Sequence, residues 1–341
     1  MAITGSMDVG ISARRRGMIW LLSAAALGIF APAHSATAAP PEQPIAQDGH
    51  LQRAVSYLAV HAARWSPENK CFSCHNNGDA ARALLAAGNH GLRFQANALH
   101  ETLSWLSRPS QWEHNQGDDA ASDKQLAAIQ FAAALSAACD AGVIKDRRAL
   151  GDAAQLVAGF QLPDGSWQVG ASGAVGGPTT YGPALATSVS RRVLLHADPT
   201  RFARAIGNAD RWLRGVDART VLDCAAVYGA LRGEGDDAAQ SQCRRCLAVI
   251  TDGQSASGGW GPYANSAAEP FDTAVVLLAL LADQEPGRHA ALIQLGHRFL
   301  LNTQLADGSW PETTRPPGAE SYAQRISTTA WATLALLKSQ K

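Results

Sequence analysis

Gln304-Leu305-Ala306-Asp307-Gly308-Ser309-Trp310 decides the architecture, because the same pattern occurs twice more. Gln161-Leu162-Pro163-Asp164-Gly165-Ser166-Trp167 repeats it almost residue for residue, and Gln254-Ser255-Ala256-Ser257-Gly258-Gly259-Trp260 keeps its ends and its glycine. Each copy follows an apolar helical pattern, as in Ala153 to Phe160 and Gly296 to Asn302. Each then leads through a polar loop into a second helical pattern rich in alanine, threonine and leucine: Pro183 to His196, Phe271 to Ala282 and Ile326 to Leu337.

The tryptophans give the period. Trp260 and Trp310 stand 50 residues apart, and Trp167 lies 93 residues before Trp260, close to two periods. A degenerate unit belongs in that gap, and Arg211-Trp212-Leu213-Arg214 followed by Val221 to Leu231 supplies it. Trp112 and Trp65 continue the spacing backwards, with second helices expected to begin near Lys124 and Asp79. Repeats of this length are stacked helical hairpins, each burying its apolar face against the next. Strand signals are sparse. The expectation is an all-α chain of six helical hairpins, with residues 51–341 as one domain.

The first residues read as an export signal. Arg14, Arg15 and Arg16 precede an apolar stretch from Met18 to Ala31, too short for a membrane span, and Ala36-Thr37-Ala38 offers a small-residue cleavage site. Residues 1–38 are therefore expected to be a signal peptide and 39–50 a linker, with the protein periplasmic or secreted. No later run is long and apolar enough for an integral membrane span. Lys+Arg and Asp+Glu both number 29, so there is no bulk positive charge to draw nucleic acid.

The Gln-x-x-Asp-Gly-Ser-Trp elements resemble the repeat motif of the terpenoid cyclase and prenyltransferase superfamily, typified by squalene–hopene cyclase. The resemblance covers most of residues 51–341 and is strongest in the last three repeats. It implies an (α/α)6 toroid with inner helices around a central cavity. It also implies a structural role for Gln161, Trp167, Gln254, Trp260, Gln304 and Trp310, which tie one hairpin to the next.

Cys71-Phe72-Ser73-Cys74-His75 has the spacing of c-type haem attachment. Two thiols three positions apart reach the two vinyl groups of one haem, and the next imidazole falls where it can bind the iron. The same residues could instead form a disulfide, a reactive thiol pair or half of a zinc site. On the haem reading Cys71 and Cys74 are tethers and His75 is the metal ligand of one covalent haem c. The chain resembles exported bacterial toroid proteins with such an element in their first repeat. All three methionines (Met1, Met7, Met18) precede residue 39, so the sixth ligand would be a histidine, water or an open site.

Glu269-Pro270-Phe271-Asp272-Thr273-Ala274 opens an inner helix where class II cyclases of the resembled superfamily carry Asp-x-Asp-Asp-Thr-Ala. Phe271 stands at the position of the middle aspartate, which protonates the substrate there, and phenylalanine cannot supply a proton. Asp272 remains the candidate catalytic residue. Cys224 and Cys243 flank the turn at Gly233-Glu234-Gly235 symmetrically and suggest a disulfide. The glycine-rich run Gly170 to Gly177 suggests a mobile flap, and Pro311 to Ser321 a second long loop on the same face.

All loops after the tryptophans fall at one end of the ring. That places the haem at the mouth of the cavity, with Tyr181, Glu269, Asp272 and Tyr322 as cavity residues. The expectation is an exported c-type haem protein of redox function, either electron transfer or oxidation of a small apolar molecule, served by that molecule or by a redox partner protein. The alternative is a haem-free toroid that binds a lipid, isoprenoid or glycan, or a diverged cyclase-like enzyme.

Overall fold

In a computed structural model of the chain, each repeat motif is a strap between neighbouring hairpins. The structure describes residues 44–341 apart from 117–122, 171–174, 284, 286, 316–317, 319 and 341. The segment read as an export signal lies outside them. Outer and inner helices alternate along the chain. The first hairpin is α1 (Pro44–Asn69) and a wide-turned π-helical segment, Cys74–Ala80, continuing into α2 (Ala81–Asn89). The second is α3 (His100–Leu106) and α4 (Lys124–Asp140). Then follow α5 (Arg148–Gly159) with α6 (Pro183–Ala197), α7 (Ala203–Gly215) with α8 (Val221–Leu231), α9 (Asp237–Asp252) with α10 (Pro270–Leu280), and α11 (Ala290–Thr303) with α12 (Tyr322–Lys338). Helix α1 begins inside the segment read as a linker.

Side-chain pattern separates the layers. Helix α10 buries ten of its residues, apolar on every side, whereas α7 buries Ile206, Ala209 and Leu213 alone, one narrow stripe. The fully apolar helices form the inner ring. Segment Cys74–Ala80 and α2 pack on α4, α4 on α6, α6 on α8, α8 on α10, α10 on α12, and α12 packs back on the first. The ring is closed: this is an (α/α)6 toroid, with no strand among the described residues.

The straps share one geometry. Trp167, Trp260 and Trp310 donate their indole N–H to the carbonyls of Val157, Ile250 and Leu300 in the preceding outer helix, at 2.6, 2.7 and 2.8 Å. Their backbone N–H groups donate to Thr187, Thr273 and Thr329 on the following inner helix. The glutamines point forward. Gln161 and Gln254 donate to the carbonyls of Ala205 on α7 and Leu292 on α11. Gln304 donates to His50 of α1 at 2.9 Å and so closes the ring. The fourth repeat reverses the strap: Gln242 on α9 reaches back to the carbonyls of Leu213 and Val216.

The glycine of the motif is required twice over. Gly308 has φ of 92°, and a Cβ there would strike the Arg53 carbonyl of α1. No helix among the described residues is long and apolar enough to cross a membrane.

Candidate functional site

The inner ring encloses a cavity of about 580 Å³ whose wall includes Leu185, Val189, Val275, Leu278 and Ala279. Its rim includes Asn89, Asp140, His196 and Lys338, all exposed and all at the C-terminal ends of inner helices. The opposite end is sealed. Asp79, Gln130, Tyr181, Phe271 and Asp272 there have essentially no exposed surface. The mouth is therefore at the end away from the post-tryptophan loops, a correction to the expected placement. Tyr181, Glu269, Asp272 and Tyr322 do not line the central cavity.

Arg82 and Trp331 form the cavity floor, with the Arg82 guanidinium 4.7 Å from the Trp331 ring centroid. Tyr181 and Phe271 each meet Trp331 edge-on at 5.7 Å. Behind this floor lies Asp79. Its Oδ1 accepts hydrogen bonds from the Tyr181 hydroxyl (2.8 Å) and from Arg82 Nη1 (3.2 Å), and its Oδ2 accepts from Gln130 Nε2 (2.9 Å). Burial raises the Asp79 pKa, while Arg82 and the hydroxyl of Tyr181 oppose that shift. Tyr181 itself is pushed well above its ordinary value by burial and by the Asp79 charge. It is also held at a φ of 61°, a left-handed conformation rare outside glycine.

The wide π turn positions this carboxyl group. Ser73 caps the segment by accepting from the Asn76 N–H at 3.0 Å, and Asn77 Oδ1 accepts from the Ser73 N–H at 2.9 Å. Gly78 passes so close to α4 that an added Cβ would lie 2.9 Å from Gln130 Cβ, which lets Asp79 meet the Gln130 amide. Extra-wide turns of this kind re-aim side chains within a helix.

The same geometry overturns the haem reading of Cys71, Cys74 and His75. His75 is packed edge-on against Trp65 at 4.8 Å and Tyr322 at 5.8 Å, with its Nδ1 hydrogen-bonded to Asn76. Burial lowers its pKa to about 4. Cys74 is pushed up to about 12 by burial and the nearby Asp79 charge, unlike a reactive thiolate. Phe72 stacks on Trp105, and its backbone is clamped at both N–H and C=O by Asn115. Neither the central cavity nor the surface hollow described below is lined by any of the three proposed haem residues. These residues do not fit a haem: they cap and anchor the first inner helix between α1 and α12. Among the described residues, no group of three or more His, Cys, Asp or Glu side chains is placed to hold a metal.

Asp272 and Glu269 belong to a loop anchor. Arg315, from the loop before α12, pairs with both at 2.5 Å. Burial nevertheless raises Asp272 to about 7. Tyr322 bonds Asn76 at 2.9 Å and lines a separate surface hollow with Tyr57, His61 and Glu312. Of the glycine-rich run, residues 171–174 lie outside the described residues, and Gly176 packs against the Tyr181 backbone. Cys224 faces Cys246 across α8 and α9, rather than the expected Cys243, and all six cysteines are free thiols. Asp79, Arg82 and Gln130 were missed as a site. Their sequence signal, a charged pair three residues apart within an apolar inner helix, was present in Asp79 and Arg82.

No family model matches the chain. A drimenyl diphosphate synthase from Streptantibioticus cattleyicolor is 27% identical over 180 residues, half of this chain. The match spans a third of that relative's length. The type II terpene cyclase MstE from Scytonema superposes with a TM-score of 0.53 at 18% identity, covering 87% of this chain and 99% of its own. A protein from Actinoplanes gives 0.56 at 16% identity, covering 86% and 100%. A variant of MstE has been solved with its substrate geranylgeranyl dihydroxybenzoate, again at a TM-score above one half (0.51). The chain has the α/α-toroid fold of these type II terpene cyclases, and these likenesses count against the redox function expected from the sequence.

Proposed function

We propose that the protein cyclises an acyclic isoprenoid in the central cavity by protonating an alkene, with Asp79 as the acid. The observation that carries this reading is a fully buried carboxyl group held behind an aromatic cavity floor and hydrogen-bonded through both oxygens. Burial favours the protonated form, while donors from Tyr181 and Gln130 stabilise the carboxylate left behind and so strengthen the acid. The relative and the structural neighbours support the same class of chemistry.

The step balances simply. The Asp79 carboxyl proton adds to one alkene carbon, and the other carbon becomes cationic. The electron pair of a neighbouring alkene then forms a carbon–carbon bond to it. The last cation loses a proton from an adjacent carbon to water in the cavity, leaving a neutral product, and Asp79 takes up a proton again before the next turnover. Trp331, with Tyr181 and Phe271 around it, offers the ring faces that stabilise cations, and the Arg82 guanidinium already occupies the Trp331 face as a cation would. Arg82 lies between Asp79 and the cavity, so its side chain must withdraw, breaking its 3.2 Å bond, for the proton to reach substrate.

The test is incubation with farnesyl diphosphate, geranylgeranyl diphosphate and squalene, followed by mass spectrometry of extracts. Cyclic products from the natural protein, reduced at least about a hundredfold in Asp79→Asn, support the reading. Unchanged turnover in Asp79→Asn overturns it.

A further inference from the structure

We propose that Arg82 is a positioning residue that holds Asp79 ionised in the free protein and releases it when an apolar ligand takes its place on Trp331, so that filling the cavity loads the acid with its proton. This rests on the reading of Asp79 as the acid and states when that acid is armed.

Asp79 and Arg82 stand three residues apart, where the π turn runs into α2, and so share one face. Asp79 has no exposed surface, whereas 9% of the Arg82 side chain meets the cavity. Arg82 Nη1 lies 3.2 Å from Asp79 Oδ1 and 3.4 Å from the Tyr181 hydroxyl oxygen. Its guanidinium carbon stands 4.7 Å from the Trp331 ring centroid. One side chain thus covers both the acid and the aromatic face on which an isoprenoid tail rests, and a ligand that reaches that face displaces it. Leu85, Ala86 and Asn89 carry the same face of α2 up to the rim. An arginine stem can lie along such an apolar wall and deliver its head to water.

Asp79 cannot follow. Burial raises its pKa, and of the groups that oppose burial Arg82 does most. Its other titratable neighbours are Tyr181, which burial keeps neutral, and Cys74 at the start of the same segment. Helix α4 presents Gln130, and α12 presents Ser327 and Trp331, whose buried Oγ and Nε1 complete no hydrogen bond. Helix α1 meets the segment with His61, which bonds Tyr322 at 3.2 Å instead. Among the described residues no other ion pair reaches Asp79. A buried carboxylate that loses its counter-charge takes up a proton. That proton comes from water, and the acid is charged only beside a ligand.

The experiment uses hexahydrofarnesol, an uncharged chain with no alkene to protonate. Calorimetric titration in two buffers of different ionisation enthalpy counts the protons taken up per ligand. The natural protein is expected to take up about one near neutral pH, with affinity falling by up to about tenfold per pH unit. Asp79→Asn takes up none. Arg82→Met takes up none either, because its Asp79 is protonated before the ligand arrives, and Arg82→Lys restores part of the uptake. Infrared difference spectra against Asp79→Asn read the same proton without any ligand. The Asp79 carboxyl C=O band is absent from the free natural protein and present in free Arg82→Met. Binding without proton uptake overturns the inference, as does that band in the free natural protein or its absence from free Arg82→Met. Proton uptake without cyclic product from an unsaturated isoprenoid sinks the cyclase reading alone. Cyclic product with no proton uptake on binding sinks the role of Arg82 alone.

Discussion

Tyr181 donates its hydroxyl proton to Asp79 Oδ1 at 2.8 Å, joining the start of the first inner helix to the start of the third. Neither oxygen of that hydrogen bond has access to solvent. The bond stabilises the carboxylate form of Asp79, so it lowers the pKa that burial raises.

Tyr181→Phe therefore has a signed effect. Removing the donor raises the Asp79 pKa further, and the acid becomes weaker while holding its proton to higher pH. In a rate profile against pH, the alkaline limb moves to higher pH and the plateau falls by about tenfold or more. A limb that stays in place shows that Tyr181 does not tune the acid.

The ring seam gives a prediction about stability. Gly308 combines a φ of 92° with contact against the Arg53 backbone, so Gly308→Ala strains the join between last and first hairpins. A loss of about 1–3 kcal/mol is expected in denaturant unfolding. Trp310→Ala removes a fully buried indole and its bond to Leu300, and should cost about 3–5 kcal/mol.

His75 and Asp272 should pull stability in opposite directions with pH. The His75 pKa falls from 6.5 to about 4 on folding, so the stability from its neutral form is whole above 6.5 and is lost as pH drops towards 4. The loss is up to about 3 kcal/mol. Asp272 rises from 3.8 to about 7, so its favourable protonated state is whole below 3.8 and stability is lost as pH climbs towards 7. Across pH 4 to 7 the two effects largely offset each other, so stability should fall with pH in His75→Phe, where Asp272 acts alone, and rise with pH in Asp272→Asn, where His75 acts alone. Slopes unchanged by either substitution would show that these groups titrate alike folded and unfolded.

Much of the toroid was legible in the tryptophan spacing, because Gln, Gly and Trp each do work that few other residues can: strap, left-handed turn and buried N–H. The strongly apolar second helices were legible too, and α8 and the start of α4 lie where the pattern placed them. The site was not. Cys71, Cys74 and His75 spell a haem motif, yet folding turns Ser73, Asn76 and Asn77 into caps and packs His75 between Trp65 and Tyr322. Asp79 and Tyr181 are 102 residues apart and share no local pattern. Loop positions told which residues share an end of the ring. They did not tell which end is sealed, since that depends on how Phe271, Trp331 and Tyr181 pack together.

The central claim is that a carboxyl proton starts the reaction, and isotope tracing reads that proton directly. The natural protein is equilibrated in deuterium oxide, given the acyclic isoprenoid it turns over, and the cyclic product is weighed by mass spectrometry. Protonation by Asp79 predicts one deuterium fixed on carbon in each product molecule, with product lost in Asp79→Asn. Cyclic product carrying no deuterium would contradict the account, because ring closure would then begin by loss of a leaving group instead of gain of a proton.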